Sequence, residues 1–448
     1  YRAETRHHVQ LAANDKGRLT AMVHEGWEVA SRPSPYTVAG TDATARMYAC
    51  PNISTRVNVV QADRNTPGFM RCPSEVPYMF ALESAMDELA HELKIDPIEL
   101  RRRNDTQTDP IDGRPYSSRS LMQCYDRGAE LFGWKARDAT PRSHRDGDWL
   151  VGWGCSTACY PANRGGSAAR VSLDSSGKAK AQVAFHEIGN GAYTVVAQTA
   201  AAALGIPIRD VSVELGDTLL PVGNIAAGSN GTATTCNAVS NACAEILQKL
   251  NRGERESLRD AVDRVGGLVE ATGNFVDPNL APGALARLQR GIPAIASGVS
   301  AKGHIMFSFG AQFIEVRVHR LTGEVRVPRV AGVFAAGRII NRRTAHSQLT
   351  GGLIWGIGSA LLEQTIVDPH SARYLNDNFA DYLVAVNADI GDMQVEMIEE
   401  QDPFVNPMGI KGVGELGCSG TNAAVANAVF HATGKRIRDL PVRAHLLI

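Results

Sequence analysis

The sequence has no Cys-x-x-Cys pair, no long apolar run and almost no net charge. A bilayer-spanning helix needs about 20 consecutive apolar residues, and no stretch approaches that. The formal net charge of -1 gives no cationic field of the kind that draws nucleic acid or anionic membranes, so no nucleic-acid partner is expected. The eight cysteines (Cys50, Cys72, Cys124, Cys155, Cys159, Cys236, Cys243 and Cys418) lack the clustered spacing of zinc or iron–sulfur ligands. They read as small buried hydrophobes. The opening segment Tyr1-Arg2-Ala3-Glu4-Thr5-Arg6 has neither an initiator methionine nor the pattern of a signal peptide, and reads as the interior of a longer chain.

What is present is an ordinary globular balance, 44% hydrophobic and 21% charged residues over a chain of 448. That length exceeds one compact core, so two or three domains are expected. Residues 1–60 alternate apolar and polar and read as strands, most clearly Val23 to Val29. A helix is expected from Ser74 to Leu93, where Met79, Leu82, Met86 and Leu89 recur every three or four residues, and Asp96-Pro97 starts another. Arg101-Arg102-Arg103 at its end reads as a cationic complement to the helix dipole. The polar stretch 137–148 marks a boundary between a first domain, 1–140, and a second, 141–448.

Beyond it a unit repeats weakly. Ala169–Leu173 and Ala181–Phe185 read as a hairpin followed by a helix, Thr194–Leu204. Phe313–Arg320 and Val325–Phe334 read as another, followed by a helix, Gln348–Leu362. Hairpins with packed helices imply an α+β fold of mixed and antiparallel sheets. Residues 252–293 alternate polar helix and Pro/Gly loop, and read as a surface excursion.

Four glycine-rich stretches stand at strand–helix junctions, where free backbone N–H groups attract anions. Gly189-Asn190-Gly191 suits a phosphate or pterin edge, or is a tight turn. In Ala226 to Thr235, the uncharged run of Gly228, Ser229, Thr232, Thr234 and Thr235 would let a ligand approach closely and would satisfy phosphate oxygens, or serves as a helix cap. His346 to Gly352 opens a helix and offers the Gln348 amide to a heterocycle edge, unless its glycines serve packing. The last, Lys411-Gly412-Val413-Gly414-Glu415-Leu416-Gly417, sets one carboxylate among glycine and apolar neighbours. Poor solvation there raises the pKa and suits Glu415 to general-base work; a helix N-terminal glutamate is the bland alternative. Arg71 and Arg164 could each hold an oxyanion through the guanidinium fork. None of the loops has the Gly-x-Gly-x-x-Gly setting of a nucleotide-binding dehydrogenase.

In order and spacing these stretches resemble one family. Phe80–Ala90 with Ile95–Arg101, Phe309–Val316, Gly337–Asn341, Asn378–Tyr382 and Lys411–Gly417 are together similar to the molybdenum-binding subunit of the xanthine dehydrogenase/aldehyde oxidase family. The likeness is nearest to its bacterial aldehyde oxidoreductase and isoquinoline oxidoreductase branch, and it covers essentially the whole chain. It implies the molybdopterin-binding fold of the molybdenum hydroxylases, with Glu415 as catalytic base and Arg71 and Gly228 beside the metal. Gly189, Asn190, Gly191, Ser229, Thr232, Thr234, Thr235, Gln348, Lys411, Gly412 and Gly414 fall at the cofactor, Arg164 and Tyr160 on the substrate side, and no side chain ligates the metal directly.

The implied cofactor is molybdopterin, in the cytosine dinucleotide form, its molybdenum bearing oxo, sulfido and hydroxo ligands. The implied reaction oxidises an aldehyde to a carboxylic acid or hydroxylates an N-heterocycle, with water as the oxygen source. Glu415 would deprotonate Mo–OH, hydride would pass to Mo=S, and electrons would leave through [2Fe–2S] centres on a partner chain. The implied partners are that chain, an FAD subunit or a cytochrome, and a chain carrying the N-terminal half of the molybdenum subunit. That half, with its Gly-Gly-Phe-Gly-Gly-type loop and a glutamine, is missing here. The compartment, bacterial cytoplasm or periplasm, stays open. Two further departures, Ser74 where glycine is common and Ala335-Ala336 where acidic and cysteine residues often stand, favour an alternative: a non-catalytic paralogue serving assembly.

Overall fold

A computed structural model describes residues 1–34 and 36–448. Its strands are β1 (Thr5–Ala13), β2 (Leu19–Ser31), β3 (Ile53–Ala62), β4 (His144–Asp146), β5 (Trp149–Pro161), β6 (Arg164–Asp174), β7 (Ala179–Val183), β8 (Val211–Leu215), β9 (Leu268–Val276), β10 (Ile295–Ala296), β11 (Phe307–His319), β12 (Val325–Ala335) and β13 (Ile390–Met397). The helices that matter most below are α1 (Glu75–Leu93), α2 (Pro97–Arg103), α3 (Leu121–Phe132), α4 (Ala192–Leu204), α5 (Gly231–Leu250), α6 (Arg342–Leu361) and α7 (Thr421–Thr433).

Three sheets form, ordered β1-β2-β3, β10-β6-β7-β8 with β9 also on β6, and β13-β12-β11-β5-β4. Most pairs are antiparallel, while β2/β3, β7/β8 and β12/β13 are parallel. The fold is therefore the expected α+β mixture of sheets with packed helices. No helix among the described residues is long and apolar enough to cross a membrane.

The third sheet organises the molecule. Side chains alternate across a strand, so Phe307, Phe309, Ala311 and Phe313 of β11 join one core with Met79, Leu82, Leu121 and Tyr125 of α1 and α3. Ile314, Val316 and Val318 join the opposite core, with Leu349 and Leu353 of α6 and Val425 and Val429 of α7. These odd and even positions face opposite ways, and β11 is apolar on both faces because both are covered. Hydrophobic packing thus runs across residue 140, from α1 and α3 to strands that follow it. A third core fills the space between the β6–β9 sheet and α4 and α5.

Close backbone approach explains two glycines in β5. A Cβ on Gly152 would stand 2.0 Å from the Ala428 carbonyl oxygen, and one on Gly154 2.3 Å from that of Ala424. The backbone of α7 therefore lies directly on β5, which fixes the loop entering α7.

Several sequence expectations need correction. Residues 252–293 are not an excursion, because β9 pairs with β6 from Gly166↔Val276 to Asp174↔Leu268. Helix α6 begins at Arg342, so the stretch from His346 to Gly352 is helix and not a loop that opens one. Likewise Gly231 to Thr235 form the first turn of α5. Arg101 is no solvated dipole partner: it is fully buried, with its guanidinium 2.9 Å from Glu83. Helix α2 does start on its expected cap, the Asp96 side chain accepting from the Ile98 amide at 2.8 Å. All eight cysteines are free and buried.

Candidate functional site

The loop 411–420 follows β13 and is pinned to α7 at its far end. Within it Glu415 is half-buried. Its Oε2 accepts from the Ser229 hydroxyl at 2.6 Å, and its own amide donates to the same Ser229 oxygen at 3.1 Å. One hydroxyl thus orients both ends of the residue. Ser229 has φ 54 and Gly228 φ 63, so two consecutive residues are left-handed, a conformation that costs a serine on the order of 1–3 kcal/mol and concentrates at functional positions. The Asn163 amide donates to the Gly228 carbonyl at 2.9 Å and steadies that turn.

The glycines around Glu415 are there for space. A Cβ on Gly412 would lie 2.3 Å from the Ser229 carbonyl oxygen, and one on Gly414 3.0 Å from its hydroxyl. Gly417 and Gly352 press loop against α6, at 2.8 Å for a Cβ on Gly352. The two segments that carry Ser229 and Glu415 can meet only because neither has bulk at the contact.

Arg71 closes the arrangement from a third segment. Its Nε donates to the Gly414 carbonyl at 2.5 Å and its Nη2 to the Gln348 carbonyl at 2.6 Å. The Gln348 side-chain oxygen lies 3.5 Å from the same Nη2, and its amide nitrogen makes no hydrogen bond among the described residues. Four segments distant in sequence therefore converge, bringing together Arg71, Gly228, Ser229, Gln348, Gly412, Gly414 and Glu415. Tyr160, at the end of β5, stands beside the Glu415 carboxylate.

Burial pushes the Glu415 carboxyl above its usual range, while Ser229, Tyr160, the Cys72 amide and the Arg71 charge hold it back. Burial also lowers the Arg71 pKa and raises that of Tyr160, where the Glu415 charge adds to the effect. The result is a desolvated carboxylate next to a cation, with donors aimed at it, which is the arrangement of a proton acceptor poised toward neutral pH.

Other expected site residues are placed differently. Lys411 is buried, its ammonium held by Glu400 at 3.1 Å and Asp402 at 3.0 Å, so it ties the loop down and presents nothing to a ligand. Arg164 is fully buried, with Nε 2.7 Å from Asp277 and Nη1 on the Ala162 carbonyl; only Nη2 lacks a partner among the described residues, so its fork is not open to substrate. The N–H groups of Gly189, Asn190 and Gly191 are already satisfied by the Glu187 carboxylate at 2.7, 2.7 and 3.1 Å, which makes that loop a capped turn in this structure. Thr234 is buried and spent on the Gly165 amide at 3.0 Å. Thr235 is buried, its hydroxyl unpartnered among the described residues, and Thr232 is partly exposed on the first turn of α5. Among the described residues no group of three or more His, Cys, Asp or Glu is placed to hold a metal.

Sequence reasoning missed Asn163, Glu187 and Cys72. Cys72 is a non-glycine at φ 59 beside Arg71, and nothing in its residue type announces a left-handed backbone. Glu187 could have been found, since an acid two residues before Gly189 can reach back to cap the turn.

Comparison with known proteins adds the frame. Two models described as molybdopterin cofactor-binding domains match residues 127–391 and 1–105. The aldehyde oxidoreductase molybdenum-binding subunit PaoC of Escherichia coli (strain K12) is 38% identical, over 100% of this chain and 61% of its own length. The chain thus spans about three fifths of the length of that curated relative. Among solved structures, the aldehyde oxidoreductase from Desulfovibrio gigas superposes with a TM-score of 0.82 at 25% identity, covering 98% of this chain and 48% of that one. Quinoline 2-oxidoreductase from Pseudomonas putida 86 gives 0.85 at 21%, covering 99% and 62%, which is a likeness of fold.

Proposed function

Because this chain belongs to the molybdopterin-binding large-subunit family of the molybdenum hydroxylases, we propose that it forms part of an enzyme that oxidises an aldehyde to a carboxylic acid, with Glu415 as the general base. The observation that carries the reading is the Glu415 carboxylate, held by Ser229 in a desolvated position beside Arg71. The aldehyde is favoured over an N-heterocycle by the 38% identity to an aldehyde oxidoreductase subunit and by Tyr160 at the carboxylate.

The residues present suit the cofactor. Gln348 offers an unused amide to a heterocycle edge, Thr235 a buried hydroxyl without a partner, and the close approach of Gly412 and Gly414 to Ser229 keeps side-chain bulk out of the convergence. In this reading Gln348 and the turn at Gly228-Ser229 bind the pterin, in its cytosine dinucleotide form. Bound molybdopterin supplies the two-electron oxidation, with water as the oxygen source. The protein's own part is positional and electrostatic. Arg71 fixes Gly414 relative to Gln348, and so fixes Glu415 relative to the pterin site. Ser229, with Tyr160 and the Cys72 amide, orients the Glu415 carboxylate that would accept the proton. Partner chains carrying [2Fe–2S] centres and FAD would supply the route by which the electrons leave.

Glu415→Gln keeps the shape and removes the base. In the assembled holoenzyme it is expected to lower kcat about 10²–10⁴-fold with molybdenum and pterin content unchanged. Normal turnover with an aromatic aldehyde in a cofactor-loaded variant removes the assignment. Against the assembly-only alternative stands the Glu415 carboxylate itself, with Ser229, Tyr160 and Arg71 around it.

A further inference from the structure

Glu75 is the first residue of α1, it is 3% exposed, and it has no salt bridge among the described residues. Its Oε2 receives the Cys72 thiol at 3.6 Å, and its other hydrogen bonds come from the Ser74 side chain and its own amide. The Cys72 amide, meanwhile, lies against the Glu415 carboxylate. One residue therefore stands between a buried acid, Glu75, and a half-buried one, Glu415, thiol toward the first and amide toward the second. It does so in a left-handed conformation, φ 59, that a non-glycine keeps only when its surroundings enforce it.

Two carboxylates sharing a water-poor site do not both ionise at low cost; one proton stays with the pair. The partners decide which acid gives up its proton first. Glu415 has the Ser229 hydroxyl at 2.6 Å, Tyr160 and the Arg71 charge. Glu75 has a thiol, which is a weak donor, and no cation.

We propose that Glu75 is a positioning residue for Glu415: it retains the single proton of a two-carboxylate pair bridged by Cys72, and so keeps Glu415 as the ionised member. The inference rests on the reading of Glu415 as base. The titratable groups facing Glu75 are Glu415, Cys72, Cys159, Tyr160 and Tyr36; of the cations, Arg2 donates to the Cys72 carbonyl at 3.2 Å and Arg71 faces Cys72 and Glu415. Burial raises the Cys72, Cys159, Tyr160 and Tyr36 groups as well, so near neutral pH they carry no charge, and the negative charge facing Glu75 is that of Glu415, which favours the neutral form of Glu75. Burial, with the Glu415 charge behind it, holds the Glu75 carboxyl up at about 7.

The test is an isotope-edited infrared titration of the assembled enzyme, which reads the protonated carboxyl directly, paired with the pH profile of kcat. The wild type should show a buried carboxylic-acid band that persists to near neutrality. Glu75→Gln should abolish the band and leave a kcat profile governed by the Glu415 acid limb, without an inflection from ionisation of a second carboxyl. Glu415→Gln should leave the band but move its midpoint to lower pH by about one unit or more, the size expected of interacting sites. A band that survives Glu75→Gln, or whose midpoint ignores Glu415→Gln, overturns the proposal. So does a Glu75→Gln variant whose kcat falls equally at every pH, since that marks a purely structural role. Failure of the base assignment looks different: Glu415→Gln would turn over normally whatever the band does.

Discussion

Ser229 holds Glu415 by two hydrogen bonds, one to the carboxylate and one from the amide, so this one hydroxyl sets both the acid's direction and its charge. Ser229→Ala removes a donor that lowers the Glu415 pKa. A hydrogen bond to a charged group contributes about 1.5–3 kcal/mol, or roughly one to two pH units. A base works only when deprotonated, so its activity is lost as pH falls through its pKa. Ser229→Ala should therefore move the acid limb of the kcat profile upward by about that much; a profile that stays in place would show that Ser229 is only a spacer. Arg164 yields a prediction of another kind. Its partner Asp277 is buried with it, and removing one member of a buried pair costs about 3–5 kcal/mol. Arg164→Ala should lose that stability in denaturant titration, whereas a free substrate-binding arginine would lose affinity with stability intact.

Among the elements, α7 is the one whose seat decides the site, because the Glu415 loop runs straight into it. Gly154→Ala would force a methyl to within 2.3 Å of the Ala424 carbonyl and must push α7 off β5. Overpacking of this kind costs about 1–3 kcal/mol, and the displacement should raise hydrogen exchange in residues 415–425 ahead of the rest of the chain; uniform exchange would mean that the strand yields instead. The elements also show what a linear reading can find. Helix α1 was legible because its apolar residues keep a single phase, and both hairpins because their turns carry glycine. Strand β9 was hidden: its buried positions are Val269, Ala271, Gly273 and Phe275, while Leu268 and Val276 face out, so apolarity does not mark its inner face. The first turn of α6 was hidden for a similar reason, since Arg342 and Arg343 are exposed and only the Asn341 cap, accepting from the Thr344 amide at 2.9 Å, marks its start.

For the whole molecule, the candidate site draws on residues near 71, 229, 348 and 415, so a ligand bound there ties the second core, which holds Cys72, Leu349 and Leu416, to the third, on which Ala226 packs. A ligand that binds only the folded state stabilises it by about 2.7 kcal/mol at 100 times its Kd. Cofactor-loaded protein should therefore melt several degrees above the same assembly without cofactor; equal Tm values would place the cofactor's contacts elsewhere. The chain by itself determined the fold class and several helices and singled out Glu415 as a candidate base, because periodicity, turn glycines and a carboxylate among glycines are local properties. Only the tertiary structure decided which polar residues remain free. Lys411, Arg164 and the Gly189–Gly191 turn carry the right chemistry for a ligand but are already paired with Glu400 and Asp402, Asp277 and Glu187. Whether a charge or a donor is available depends on what the folded chain brings next to it, and those partners lie from two residues to more than a hundred away.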